Sequence, residues 1–134
     1  MTYELSQYEL QDSAVCTLKN ARGDDDLRGQ DGEAVTVEIF SPGSVQGRKA
    51  LHKFNRPQQL RMFRMARGEV VSSDQLDSER ERKVKLCDIT KAFSANFPFT
   101  PDQVFGNPQL YYLADQVDAF FAKAGNFEKG SSAS

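Results

Sequence analysis

The residues that could do chemistry are few, and their spacing does not favour it. His52, the only histidine, stands among Arg48, Lys49 and Lys53. That field of cations opposes the imidazolium a general base must form, and no carboxylate lies within a helical turn to orient the ring. A surface or half-buried side chain is the expectation for it. Cys16 and Cys87 lack CxxC spacing, and one histidine cannot complete a zinc site with them. They read as two buried free thiols, since a disulfide between them would require an oxidising compartment. Asp24-Asp25-Asp26 concentrates carboxylates, but a calcium loop needs alternating ligands and a closing glutamate at a fixed offset. Neither is present, so a solvated loop is expected. No GxxxxGK[ST] or GxGxxG occurs. The reading is a non-enzymatic chain with no catalytic residue, metal or cofactor.

What remains is a pattern of charge. The net charge of −2 conceals strong segregation. Residues 1–46 carry three Lys/Arg against nine Asp/Glu, residues 47–68 carry seven Lys/Arg and no acid, and residues 69–134 carry seven against ten. Segregation of this kind marks either a partner surface or an internal match of the acidic N-terminal part with the basic helix. Both readings stay open here.

The elements that position these charges can be read from periodicity. The 134 residues suffice for one domain. Residues 1–12 read as a flexible N-terminal arm, 13–127 as a single globular domain, and 128–134 as a disordered tail. Residues 13–18 alternate weakly and predict a strand. Residues 20–32, rich in Asp and Gly, predict a long hairpin loop. Val35, Val37 and Ile39 alternate with Thr36, Glu38 and Phe40, and predict a second strand over 33–40. Ser44 is a good N-cap for a helix carrying Ala50, Leu51 and Phe54. Pro57 lacks an N–H and disfavours helix at Arg56, so a break or kink near 55–56 is expected. A second helix then runs from Pro57 to Ala66 and stops at Gly68.

Ser72 and Gln75 offer a capping box for a long helix over 74–97, charged in its first half and apolar in its second. Thr100-Pro101 predicts a short helical turn ending at Gly106. Asn107-Pro108 opens the last helix, whose Leu110, Leu113, Ala114, Val117, Phe120, Phe121 and Ala124 form the cleanest amphipathic stripe in the chain. Gly125 is the expected residue just past its end. The fold class is therefore α+β, mainly α: an N-terminal β-hairpin packed on a bundle of four or five helices. A strand anywhere within residues 74–124 would contradict that arrangement. No apolar run is long enough to cross a membrane. Met-Thr-Tyr-Glu-Leu lacks a basic region followed by an apolar one, so no secretory leader is read there.

The segment over 57–66 carries apolar residues on two faces. Leu60 and Phe63 share one, spaced to join Phe54 in a core. Met62 and Met65 fall on the other, and their adaptable thioethers suit a surface that holds varied partners. Met62 and Met65, flanked by Arg61, Arg64 and Arg67, are the candidate partner-binding residues.

Two stretches carry a family resemblance. One is Val35-Thr-Val-Glu-Ile-Phe-Ser-Pro-Gly-Ser44 continuing into Gly47-Arg-Lys-Ala-Leu-His52. The other is Gln116-Val-Asp-Ala-Phe-Phe121 closed by Gly125-Asn-Phe127. In this order, with the charged-then-apolar helix over 78–97 between them, they resemble the tail assembly chaperones of long-tailed, siphophage-like bacteriophages and prophages, over about residues 13–127. Pro57 departs from the family's continuing basic helix, and Cys87-Asp-Ile-Thr90 matches loosely the Ala-Cys-Thr run usual at that place. The resemblance implies a protein that binds the tape-measure protein and keeps it soluble while the tail tube assembles. It also implies contact with the tail-tube protein, self-association, residence in the host bacterial cytoplasm, and absence from the mature virion. The alternative, argued from charge alone, is a small prophage nucleic-acid-binding or regulatory protein using the basic segment 48–67. Thin aromatic interleaving and a pI near 5.4 weigh against it.

Overall fold

The structure, a computed structural model, describes residues 5–68 and 75–128. Its class is α+β. A three-stranded antiparallel sheet in the order β1-β2-β3 is built from β1 (Ser13–Thr17), β2 (Thr36–Phe40) and β3 (Thr90–Phe93). Four α-helices accompany it among the described residues: α1 (Val45–Ala66), α2 (Gln75–Ile89), α3 (Pro101–Phe105) and α4 (Tyr111–Ala122).

The hairpin follows from the alternation. β1 and β2 pair with Ala14 opposite Ile39 and Cys16 opposite Val37, and the ladder extends to Leu18 and Val35. Cys16, Leu18, Val35, Val37 and Ile39 are buried on one face. Glu38 points the other way, where its carboxylate accepts from Ser13 Oγ at 2.6 Å and meets Lys91 Nζ at 3.5 Å. The Asp/Gly-rich connection is organised rather than loose. Leu27 bonds back to both strand ends, and Asn96 Nδ2 donates to the Asp31 carboxylate and to the Glu33 and Ala34 carbonyls. The Asn96 amide and the Glu33 N–H hold the Asp31 carboxyl below its ordinary range.

The 74–97 helix is overturned. α2 ends at Ile89 and the chain continues as β3, so a strand does lie within 74–124 and the two-stranded expectation is wrong. Thr90 makes the switch: buried, its hydroxyl donates to the Leu86 carbonyl at 2.7 Å and closes the helix. Phe93 then pairs opposite Val37, across a bulge at Glu38/Ile39. The physical reason is that a lone hairpin is marginal in water, and a third strand covers the second edge of β2. Local helical pattern yields to that tertiary gain. The Ser72 cap lies outside the described residues.

The helix starts were read correctly where side chains cap them. Ser44 Oγ accepts from Gly47 N at 3.0 Å, and Thr100 and Gln103 form a full capping box on α3. Gly47 is required, because a Cβ there would stand 1.9 Å from the Ser41 carbonyl. Asn107 caps a 3-10 turn, Pro108–Leu110, that leads into α4. Gly68 (φ +84°) closes the end of α1 by donating to Met65 O. Gly125 does not play that part for α4. The helix stops at Ala122, and Ala124–Phe127 forms a 3-10 turn instead.

The expected break near 55–56 is also absent: α1 is one helix of 22 residues with Pro57 inside it. Pro57 removes only the bond to the Lys53 carbonyl. Lys53 is exposed, so water can serve that carbonyl and the helix need not end.

α4 seals the core. Leu113, Ala114, Val117 and Phe121 are buried, Phe120 is half-buried, and Ala124 is exposed. Gln116, between them, binds the end of β1 twice: its Oε1 accepts from Lys19 N at 2.6 Å and its Nε2 donates to Lys19 O at 3.0 Å. Asn126 Nδ2 caps the Phe120 carbonyl, and buried Phe127 stacks edge-on against Phe120 at 5.4 Å. Of the arm expected over 1–12, residues 5–8 form a 3-10 turn, and Gln11 N donates to the Phe127 carbonyl.

Cys16 is buried and Cys87 half-buried, both unpaired with each other. Burial pushes the Cys16 thiol up to about 11, and burial likewise raises that of Cys87. Only the thiolate reacts. Native Cys16 is therefore expected to resist a thiol reagent at pH 8 and to react fully in denaturant. Rapid native labelling of Cys16 would show that the sheet opens.

Candidate partner-binding surface

α1 and α2 run antiparallel, and three contacts mark the pairing. Lys53 Nζ reaches Asp88 at 3.5 Å, Lys85 Nζ sits 4.6 Å from the Phe54 ring centroid, and Arg61 grips Glu81 at 2.9 and 3.0 Å. Near the sheet α1 is anchored through Gly47 and Ala50, its only buried residues. Farther along, among the described residues, it packs on α2. The facing half of α2 contains Glu79-Arg-Glu-Arg-Lys83, so ion pairs rather than an apolar core join the two.

That geometry decides the fate of the segment over 60–66. Met62 is 70% exposed and Met65 62%, as the sequence suggested. Leu60 and Phe63, expected to join Phe54 in the core, are 51% and 62% exposed. The correction follows from the uninterrupted helix. With no break at Pro57, the segment does not fold back onto the sheet, and all four large apolar residues stay outside. A cluster of exposed large apolar side chains on one element is unusual for a surface that has no partner.

The basic residues divide. Arg61 is half-buried and committed to Glu81, whose carboxyl it holds below the usual range. Arg64 and Arg67 are exposed, and the Arg67 guanidinium lies over the Phe63 ring at 4.9 Å. The acidic N-terminal part pairs with cations near to it in the chain and on β3. Among the described residues its ion pairs are local, Lys19–Asp26, Arg22–Asp24 and Arg28–Asp25, with Glu38 turned to Lys91. α1 instead uses Asp88 and Glu81 of α2.

His52 is exposed on α1, and among the described residues no cluster of three His, Cys, Asp or Glu could hold a metal ion. An open cleft of about 530 Å³ separates α2 from the start of α4, over Leu86, Phe105 and Tyr111. Two cations on its rim are already paired, Lys83 with Asp102 and Arg82 with Asp115. No helix among the described residues is long and apolar enough to cross a membrane.

Sequence reasoning missed the clasps made by Gln116 and Asn96, and nothing in the local pattern signals either. It also assigned Leu60 and Phe63 to the wrong environment, because their spacing is the same whether the helix bends or not. The stretches that carry the family resemblance lie in the structural frame: the Ser44 cap, the Gln116 clasp, and the buried Val117, Phe121 and Phe127. Comparison with protein-family models, with curated proteins and with solved structures gave no match to this chain.

Proposed function

We propose that the protein is a non-enzymatic tail assembly chaperone of a long-tailed phage or prophage. It binds the tape-measure protein and keeps it soluble during tail-tube assembly, in the host bacterial cytoplasm, and is left out of the mature virion. The observation that carries this reading is the exposure of Leu60, Met62, Phe63 and Met65 together on a helix rich in cations. A client that is long, apolar and helical needs such a surface: adaptable side chains to hold varied segments, and charge to keep the pair in solution. Contact with the tail-tube protein and self-association belong to the same reading.

The test is a Met62→Ser, Met65→Ser double variant co-expressed with the tape-measure protein encoded beside it. Both side chains are exposed, so the variant is expected to keep its stability within about 0.5 kcal/mol. Client in the soluble fraction is expected to be lost. A folded variant that solubilises the client as well as the wild type overturns the assignment of this surface.

One observation favours a second reading. Arg48, Lys49, Arg56 and Arg64 are exposed on α1 and Arg67 just past its end, and residues 47–68 contain no acid. Binding of nucleic acid through them would weaken steeply with added salt, by about one power of the salt concentration for each phosphate contacted, whereas a client held mainly by apolar contacts would weaken far less.

A further inference from the structure

The pairing of α1 with α2 leaves a groove of about 250 Å³ with an almost wholly apolar wall. On α1 it is lined by Ala50, Lys53, Phe54 and Pro57, at i, i+3, i+4 and i+7. On α2 it is lined by Arg80, Glu81, Val84, Lys85 and Asp88, the last four of which repeat that spacing. Two antiparallel helices presenting heptad-spaced edges to a common trough have the geometry that a third helix fills with knobs in holes. Val84 is 38% exposed at the groove, and Leu60, 51% exposed, follows Lys53 at i+7 on α1. Pro57 is among the residues that line the trough.

Charge identifies the occupant. Asp88 and Glu81 face Lys53 and Arg61, so the acids at the groove are already matched within the protein. The surplus along the α1 edge is positive, with Arg56, Arg64 and Arg67 exposed and no acid from 47 to 68. We infer that the groove between α1 and α2 receives a third helix from the client, amphipathic, with large aliphatic residues at heptad spacing and glutamate or aspartate flanking them. This deepens the client-binding reading and rests on it, and it centres on Phe54 and Val84 rather than on Met62 and Met65.

The probe is a fluorescent synthetic helix three heptads long, with leucines on one face and glutamates beside them, titrated against the full chain by anisotropy. A second probe keeps the leucines and replaces the glutamates by lysines. The glutamate probe is expected to bind and the lysine probe to bind at least about tenfold more weakly. Val84→Arg, which plugs the groove but adds positive charge, is expected to cost about tenfold in affinity for the glutamate probe. Val84→Ser serves in its place if the arginine variant fails to fold, with a smaller loss. Arg64→Glu is expected to weaken binding at low salt and to match the wild type at high salt. Wild-type affinity in a folded Val84→Arg protein, equal binding of the two probes, or displacement of the glutamate probe by a DNA duplex at stoichiometric amounts would overturn the inference. These outcomes are separable from the co-expression test. Loss of groove binding with normal client solubility strikes the groove alone, and groove binding with no effect on client solubility strikes the chaperone reading.

Discussion

Replacing Phe127 by alanine is expected to destabilise the protein by about 3–5 kcal/mol and to lower its thermal midpoint by roughly 10–20 °C. Phe127 is the largest of the fully buried side chains, although it lies beyond the last helix, close to the end of the described residues. It joins three parts of the chain. Its ring packs edge-on against Phe120 of α4, its carbonyl accepts from Gln11 N, and the turn that carries it packs beside β1. Truncation leaves a cavity that rigid neighbours cannot collapse into, which places the cost above simple transfer. Two comparisons make the result specific. Phe120→Ala should cost less, because Phe120 is only half-buried. Phe63→Ala should change stability by no more than about 0.5 kcal/mol, since that ring is 62% exposed. Guanidinium denaturation of the three variants checks the order. A Phe63 variant as damaging as the Phe127 variant would mean that α1 folds onto the core.

The same three phenylalanines show what the sequence disclosed and what it did not. Phe120 sits in a stripe of helical period, and the stripe was legible because period and burial coincide along α4. Phe127 belongs to no periodic run. Its burial depends on a turn whose direction is set by the Asn126 cap, so local pattern carries no trace of it. Phe63 has core spacing but a solvent environment, because what buries a helical face is the element opposite it. For residues 60–66 that element is the charged half of α2. β3 escaped notice for a related reason: Ile89, Phe93 and Phe97 suit a helix as well as a strand until the free edge of β2 is known to be within reach. The candidate site was legible in part. Met62 and Met65 were identified as exposed, whereas Leu60 and Phe63 were added to them only by the continuity of α1.

That continuity makes Pro57 the position where the second large effect is expected. A proline in a helix interior costs about 3 kcal/mol relative to alanine, through the lost hydrogen bond and the clash of its ring with the preceding turn. α1 runs through Pro57 for nine further residues. Pro57→Ala is therefore expected to raise stability by about 2 kcal/mol, the remainder being offset by the freedom alanine restores to the unfolded chain. Urea denaturation measures the gain, and stronger far-UV helical dichroism should accompany it. A loss of stability instead would show that the Pro57 ring contributes more by lining the groove between α1 and α2 than it costs the helix. The change also bears on the groove, because it removes the Pro57 ring from its wall. If the groove holds a client as inferred, the more stable variant should bind the glutamate-flanked probe less tightly. Stability and affinity moving in opposite directions would explain why a residue so unfavourable to the helix stands at its centre.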